Sequence, residues 1–224
     1  GFLETVRDLP VSEEDRKRYI DLMLVQSMRM QHIVEDLLAL AKLESDAQPP
    51  SHDRVNVAAL AAHMVHDAEA LSQGRHHIET EIDTAVVLRG AEGELLSALG
   101  NLVSNAVRYT PEGGRIAIRM TFTDGHSVFS VSDTGLGIAP EHIPRLTERF
   151  YRVDRSRSRD TGGTGLGLAI VKHVLSRHHA DLRVSSEVGR GSTFRIVFPV
   201  DRSGYEPDAA QPLSQLGDAS RHAA

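Results

Sequence analysis

Two asparagines, Asn101 and Asn105, lie one helical turn apart beside an apolar stripe of a predicted helix, and Arg108 shares their face. Asparagine is a poor helix former, because its side chain competes for backbone hydrogen bonds, so its repeated use here needs another reason. A carboxamide oxygen is a hard ligand that suits Mg²⁺, and a guanidinium binds phosphate well. The residues alone leave two interpretations open, a metal–phosphate site and an ordinary solvated helix face.

A second candidate is Asp133, which ends a predicted strand on its apolar face and is followed by Gly135 and Gly137. A carboxylate in that place is costly unless it meets hydrogen-bond donors, and the exocyclic amine of adenine is a suitable donor. The two glycines let the backbone approach a flat ligand closely. The alternative is a common Asp-Thr-Gly turn without a ligand.

A third candidate is the glycine-rich run 162–168, which opens a predicted helix. Backbone amides at such a helix start attract anions. The run is not a dinucleotide fingerprint, because no G-x-G-x-x-G register fits, nor a Walker A loop, because Leu168 follows Gly167 where lysine is required. The preceding stretch alternates serines with Arg155, Arg157 and Arg159, which indicates either a lid over phosphates or a solvated loop.

The elements that must position these residues lie in region 54–202, where paired strands are interspersed with helices. This pattern predicts a mixed sheet covered on one face by helices. The expected strands are 54–57, 77–83, 86–89, 116–122, 128–133, 182–186 and 193–200, and the expected helices are 58–71, 92–108 and 164–178. The tail 203–224 is small and polar and is predicted to be disordered.

Residues 1–47 are helical by pattern, with a break near Pro10 and a new helix capped by Ser12 and Asp15. Apolar residues then form a seam with the three- and four-residue spacing of a bundle. The seam consists of Met23, Met30, Ile33, Leu37, Leu40 and Leu43. We expect a helical hairpin that pairs with a second copy into a four-helix bundle, with packing of the seam onto its own chain as the alternative. The double proline in the linker 48–53 ends the helical region.

Composition narrows the classes of protein further. The 224 residues carry a formal net charge of -6, which argues against a general nucleic-acid binder, and they include no cysteine, which excludes disulfides and thiolate sites. No apolar run approaches the ~20 residues that span a bilayer. The chain begins without methionine in what reads as mid-helix, so we expect a piece of a longer protein with any membrane anchor upstream.

Together these segments resemble the sequence boxes of sensor histidine kinases of two-component systems, and they occur in the family order. The similar segments are 101–111 for the N box, 133–138 for the G1 box, 150–152 for the F box, 163–168 for the G2 box and 189–194 for the last glycine box. The hairpin, from its first five residues to Glu44, is most similar to phosphate-regulon sensor kinases.

The resemblance implies an α+β fold, in which a dimerisation hairpin precedes a two-layer α/β sandwich of the Bergerat type that binds ATP and Mg²⁺. By position, Asn105 would bind Mg²⁺ with support from Asn101, and Arg108 would face the phosphates. Tyr109 would stack near adenine, and Asp133 would accept a hydrogen bond from its amino group. The remaining residues of the implied ATP site are Gly135, Gly137, Ile138, Phe150, Tyr151, Arg152, Gly163, Thr164, Gly165, Leu166, Gly167, Leu168 and Thr193.

Two departures refine the implied activity. ATP-hydrolysing relatives of this fold place Glu at the position of Asn101, and an amide cannot deprotonate water, which favours a kinase over a hydrolase. The family's phosphoacceptor histidine lies in an H box, and none of the 12 histidines here, including His52 and His66, has that setting. We therefore expect the acceptor upstream of Gly1 and assign no catalytic residue to this chain.

The implied partners are a second copy of the chain and a response-regulator receiver domain, in the cytoplasmic part of a bacterial inner-membrane protein. A non-catalytic dimeric scaffold is the alternative from a different class, and the intact glycine boxes argue against it.

Overall fold

The computed structural model describes residues 12–46, 48–153 and 163–207. They form one long helix followed by a two-layer α/β unit. Within these ranges, no helix combines the length and the apolar character that crossing a membrane requires.

The long helix α1 spans Glu13–Ser45. The predicted cap is confirmed, because the backbone N–H of Asp15 donates to Ser12 Oγ at 3.1 Å. The first turn is acidic, which suits the positive end of the helix dipole. The helix predicted before Pro10 lies outside the described residues.

The apolar seam of α1 divides into two parts. In its first part Met23 and Ile33 are half-buried, whereas Met30 leaves 59% of its surface to solvent and Leu37 leaves 41%. Its end is covered, since Leu40 is 2% exposed and Leu43 packs against the core of the α/β unit. Among the described residues, the seam joins the core of its own chain at its C-terminal end, and coverage of the rest by a second copy stays a prediction.

The α/β unit contains three helices and eight strands among the described residues. The helices are α2 Val57–Ser72, α3 Glu92–Tyr109 and α4 Gly167–Arg177. The strands are β1 Arg54–Val55, β2 His77–Ile82, β3 Val86–Arg89, β4 Arg115–Thr123, β5 His126–Asp133, β6 Asp181–Glu187, β7 Gly191–Val197 and β8 Ser203–Tyr205. Short 3₁₀ helices occupy Pro140–Arg145 and Val200–Arg202.

The strands form two sheets. The larger has the order β2-β4-β5-β7-β6, with β2 parallel to β4 and the other pairs antiparallel, which confirms the predicted mixed sheet. The smaller, β1-β3-β8, was not predicted. Asp124 and Gly125 both have positive φ in the turn between β4 and β5, as a tight hairpin requires.

The core lies between the larger sheet and the helices. Alternate residues of β4, such as Ile116 and Ile118, are fully buried and face α3, whose stripe Leu95, Leu99 and Leu102 is also buried. Helix α3 packs between α2 and α4, and α1 contacts α4. The site residues of α3 therefore stand on a helix that is fixed on several sides.

Among the boundaries that differ from the expectations, two change the description of the fold. Helix α4 begins at Gly167, three residues later than predicted, because residues 163–166 form a turn before it. The folded unit continues past 202, since Ser203–Tyr205 pairs with β3, so the predicted disorder of 203–224 is wrong for these residues. Residues 208–224 lie outside the described part of the chain.

The linker 48–53 after α1 is held against the α/β unit by burial and hydrogen bonds. Pro50 is buried, Ser51 Oγ donates to the carbonyl of Gly90 at 3.1 Å, and the buried Arg202 donates to the carbonyl of Ser51 at 3.1 Å. Segment 48–53 is thus extended, as the prolines predict, and also anchored.

Candidate functional site

Helix α3 carries the two asparagines on its half-buried side. Asn101 Nδ2 donates to the carbonyl of Ser97 at 2.9 Å. Its Oδ1 faces the start of α4, where a Cβ on Gly167 would lie only 2.3 Å away. Position 167 therefore admits only glycine if Asn101 keeps this place.

Asn105 differs from Asn101, because its carboxamide makes no hydrogen bond to any other residue of the described ranges. It is half-buried, as is Arg108, while Tyr109 at the end of the helix is 40% exposed. A half-buried amide without a protein partner suits a ligand better than a solvated face.

The segment 133–138, which we call the base loop, starts at Asp133. Oδ1 of this carboxylate accepts from the backbone N–H of Gly135 at 2.8 Å and from that of Ser192 at 3.3 Å. Its Oδ2 accepts no hydrogen bond from the described residues, which leaves one oxygen for a donor from a ligand. Burial raises the pKa of Asp133, and the two backbone hydrogen bonds act in the opposite direction.

The glycines of the base loop are required by close backbone approach. A Cβ on Gly135 would lie 2.4 Å from the carbonyl oxygen of Tyr109, and one on Gly137, at φ +67°, would lie 2.0 Å from that of Glu187. The loop is thus clamped between the end of α3 and the turn that joins β6 to β7.

Two serines that sequence reasoning missed complete this clamp. Ser186 Oγ accepts from the backbone N–H of Ile138 at 2.8 Å, donates to the carbonyl of Gly191 at 3.0 Å and lies 2.9 Å from Ser192 Oγ. Ser186, Ser192 and Asp133 occupy neighbouring positions in the ladder of β6, β7 and β5. Strand parity could have indicated both serines once this register was known.

Thr193 is the clearest correction among the predicted site residues. Its side chain lies on the other face of the sheet from Ser192, with Oγ1 2.9 Å from Ser132 Oγ. That face also carries the exposed Arg195. The hydroxyl residue of β7 that reaches Asp133 is therefore Ser192, and Thr193 does not join the cluster.

The segment 163–167, which we call the phosphate loop, leads into α4. Its Gly165 has φ +75°, and its carbonyl accepts from the backbone N–H of Phe150 at 2.9 Å. The Arg152 guanidinium donates to the carbonyl of Gly163. Thr164 Oγ1 accepts from the backbone N–H of Leu166 at 3.1 Å. These contacts bring the predicted F and G2 boxes together, in front of a helix start that attracts anions.

Some predicted site residues contribute differently from the expectation. Leu166 is fully buried, and Ile138 and Leu168 pack against the core, so only their backbones face the site. Tyr151 contacts the 3₁₀ helix before it, with its hydroxyl 2.7 Å from His142 Nδ1. The predicted lid arginines Arg155, Arg157 and Arg159 lie outside the described residues.

Along α3, the assembled site presents three kinds of groups that could contact a ligand. The base loop presents a carboxylate oxygen, α3 presents an amide and a guanidinium, and the phosphate loop precedes the anion-attracting start of α4. This order fits a ligand with a hydrogen-bonding base at one end and anionic groups at the other.

Comparisons with known proteins identify the family of each part of the chain. Residues 90–202 match the family model "Histidine kinase-, DNA gyrase B-, and HSP90-like ATPase", and residues 1–46 match "His Kinase A (phospho-acceptor) domain". The crystal structure titled "ShkA full-length in complex with AMPPNP" superposes with a TM-score of 0.70 at 27% identity, over 92% of this chain and 42% of that one.

Among curated proteins, the "Phosphate regulon sensor protein PhoR" of Pseudomonas aeruginosa is 52% identical over 200 residues, which are 88% of this chain and 45% of that protein. The protein of the same name from Haemophilus influenzae is 39% identical over 199 residues, 89% of this chain and 47% of that protein. The chain thus spans less than half the length of these relatives. With the ATPase model over its α/β unit and the phospho-acceptor model over its helical region, the chain belongs to the sensor histidine kinases, within the histidine kinase-, DNA gyrase B- and HSP90-like ATPase family.

Proposed function

We propose that this chain is the ATP-binding core of a sensor histidine kinase that transfers the γ-phosphoryl of ATP to a histidine outside this chain. The observation that carries the proposal is the row of base loop, free Asn105 amide and phosphate loop along one side of α3. The similarity to ShkA, which was solved with AMPPNP, supports an adenine nucleotide as the ligand.

At the base end, Asp133 Oδ2 would accept from the adenine amino group. The Oδ1 hydrogen bonds to Gly135 and Ser192 fix the carboxylate plane before the nucleotide arrives. Guanine carries an oxygen in place of that amine, so two acceptors would face each other and GTP would bind poorly.

At the phosphate end, Asn105 would contribute one oxygen ligand to Mg²⁺. The described residues contain no cluster of three His, Asp or Glu that could hold a metal alone, so the nucleotide phosphates and water would supply the other ligands. Such an ion neutralises phosphate charge. Arg108, half-buried one turn further along α3, would face the same phosphates.

Asn101 supports transfer over hydrolysis. Its amide is held by Ser97 and lies against Gly167, and it cannot take a proton from water. In the proposed reaction, an imidazole nitrogen attacks the γ-phosphorus, the bond to the β–γ bridging oxygen breaks, and ADP leaves. A response-regulator aspartate would then receive the phosphoryl group.

The biological setting rests on the relatives. We propose that the complete protein pairs through its hairpin, whose exposed seam a second copy would cover, and that it responds to phosphate limitation, as the PhoR names suggest. A membrane anchor would belong to segments outside this chain.

The test is calorimetry with ATP and Mg²⁺ on the parent, Asn105→Ala and Asn105→Asp. We expect binding by the parent and its loss in both variants, with unchanged far-UV circular dichroism, because one variant removes the ligand oxygen and the other adds charge beside phosphates. Gln26→Glu, which adds the same charge at an exposed position of α1, is the control and should bind as the parent does.

A second measurement separates binding from transfer. Labelled ATP should leave no acid-labile, alkali-stable phosphate on this chain, because none of its histidines lies in an H-box setting. Parent-like binding by Asn105→Ala would refute the metal assignment, and stable phosphohistidine on this chain would show that the acceptor lies within it.

A further inference from the structure

The phosphate loop is in contact with helix α1, which comes from the other part of the chain. Thr164 Oγ1 donates to Asp36 Oδ2 at 2.7 Å while accepting from the backbone N–H of Leu166. Asp36, Thr164 and Leu166 thus form a short chain of hydrogen bonds that ends at the residue before α4. A single carboxylate of α1 thereby sets the shape of the turn that precedes the anion-attracting helix start.

This contact belongs to a longer docking face between α1 and the α/β unit. Toward the end of α1, Glu44 pairs with Arg149 and lies 3.2 Å from His173 Nε2. Asp46, just after α1, pairs with Arg177 at 3.0 Å, and Arg177 also pairs with Glu94 of α3. The docked position of α1 is therefore defined by several polar contacts as well as by buried Leu40.

Asp36 differs from these other acidic residues in what it faces. Glu44 and Asp46 meet arginines, whereas Asp36 meets a hydroxyl of the loop that, by the proposed function, receives the phosphates. A carboxylate and a triphosphate repel each other, and their repulsion is strong when both are partly removed from water. Docking of α1 through Asp36 and binding of phosphate groups in this loop are therefore opposed.

We propose that Asp36 is a positioning residue of the nucleotide site, which acts through Thr164, holds the phosphate loop in the shape that this structure shows and opposes the binding of phosphate groups. This inference rests on the proposed function, since it needs a nucleotide in the site. Because coupling between two sites is reciprocal, ATP must weaken the docking of α1 by the same factor by which docking weakens ATP binding.

The experiment compares nucleotide affinities of the parent, Asp36→Asn, Asp36→Ala and Glu35→Gln by calorimetry with ATP, ADP and adenosine. Asp36→Asn removes the charge but keeps the shape, and Asp36→Ala removes both. Glu35→Gln removes one negative charge from the adjacent exposed residue, whose hydrogen bond within the described ranges is to Gln31 of α1 itself, so it is the matched control.

We expect both Asp36 variants to bind ATP and ADP about fivefold more tightly than the parent, and to bind adenosine as the parent does. The control should match the parent for all three ligands. Hydrogen exchange supplies a second readout, in which ATP should speed exchange of α1 amides near Asp36 in the parent and have a smaller effect in Asp36→Asn.

Unchanged or weaker ATP binding by both Asp36 variants, with normal binding by the parent and the control, would overturn the role of Asp36 and leave the proposed function intact. Equal tightening for adenosine would also overturn it, because the effect would then not depend on phosphate. Absence of ATP binding by the parent would instead overturn the proposed function and this inference with it.

Discussion

The base loop and the phosphate loop are both rich in glycine, yet they are held in different ways. The base loop is closed by contacts within the α/β unit, from Asp133 through Ser192 and Ser186 to Ile138. The phosphate loop has fewer hydrogen bonds within the α/β unit, and its single side-chain hydroxyl, that of Thr164, donates to Asp36 of α1. Under the proposed function, the α/β unit alone therefore shapes the base end of the site, whereas the phosphate end depends on where α1 lies.

The largest expected effect compares one added methyl group at Gly191, the residue of β7 that packs against the base loop, with one in the phosphate loop. A Cβ on Gly191, at φ +113°, would lie 1.9 Å from the carbonyl oxygen of Asp133, so backbone must move. A Cβ on Gly163 meets nothing closer than 3.4 Å. We expect Gly191→Ala to lower the free energy of unfolding by about 3 kcal/mol and Gly163→Ala by less than about 0.5 kcal/mol, measured by urea denaturation.

Similar losses in the two variants would contradict the comparison, because they would show that the phosphate loop is packed as tightly as the clamp around the base loop. An unchanged denaturant slope is needed in both variants, since it shows that the same surface unfolds.

The next effect concerns Asp133 and separates affinity from stability. Asp133→Asn keeps an Oδ1 that can accept from Gly135 and Ser192, and it removes a charge that burial disfavours. We expect ATP affinity to fall by about 2–3 kcal/mol, with no loss in the free energy of unfolding. The parent should also prefer ATP to GTP by a similar amount in a displacement assay.

Asp124→Asn is the control for this variant, because it makes the same change at the exposed turn between β4 and β5, where φ is positive and Asn is tolerated. Equal binding of ATP and GTP by the parent would remove the base-reading role from Asp133.

A smaller effect should follow from Ser186→Ala. The variant leaves the backbone N–H of Ile138 and the carbonyl of Gly191 without this hydroxyl, so we expect a loss of about 1–2 kcal/mol in the free energy of unfolding. Ser185→Ala, the neighbouring exposed position on the outer face of the sheet, should change it by less than about 0.5 kcal/mol.

The affinities of Ser186→Ala for ATP and for adenosine provide a second measurement of how the two loops differ. Ser186→Ala should weaken ATP and adenosine alike, because it loosens the base loop and touches nothing at the phosphate loop. Selective weakening of ATP would show that the two loops are not independent.

The sequence predicted strands β4 and β5, which lead to the base loop, because alternation of apolar and polar residues along a strand indicates which side is buried. The sequence placed Thr193 in the ATP site, whereas Ser192 is the hydroxyl residue that pairs with Asp133. Both residues carry hydroxyls, and only the register of β7 with β5 decides which of them faces Asp133. The start of α4 was set three residues early, since residues 163–166 form a turn. The second sheet and the Asp36 contact join segments far apart along the chain, such as β3 with β8, and no local pattern contains that information.

The smallest expected effect is the dependence of base binding on pH. Burial raises the pKa of Asp133 above its usual 3.8, so this carboxylate takes up its proton at a higher pH than an exposed aspartate does. Adenosine affinity should therefore decline as pH falls toward the raised pKa of Asp133, by less than Asp133→Asn lowers it while only a fraction of the carboxyls is protonated. Adenosine is the probe because it has no phosphate to titrate.

Folding stability should respond to the same proton with the opposite sign. A carboxyl whose pKa is raised in the folded state contributes stability that is complete below 3.8 and is lost as pH rises through the raised value. Acid thus favours the Asp133 contribution to folding while it weakens adenosine binding, and Asp133→Asn should remove both dependences. Calorimetric titrations and urea denaturation at matched pH values measure the two. An affinity that is independent of pH in the parent, together with parent-like pH dependence of stability in Asp133→Asn, would show that protonation of Asp133 governs neither adenosine binding nor stability.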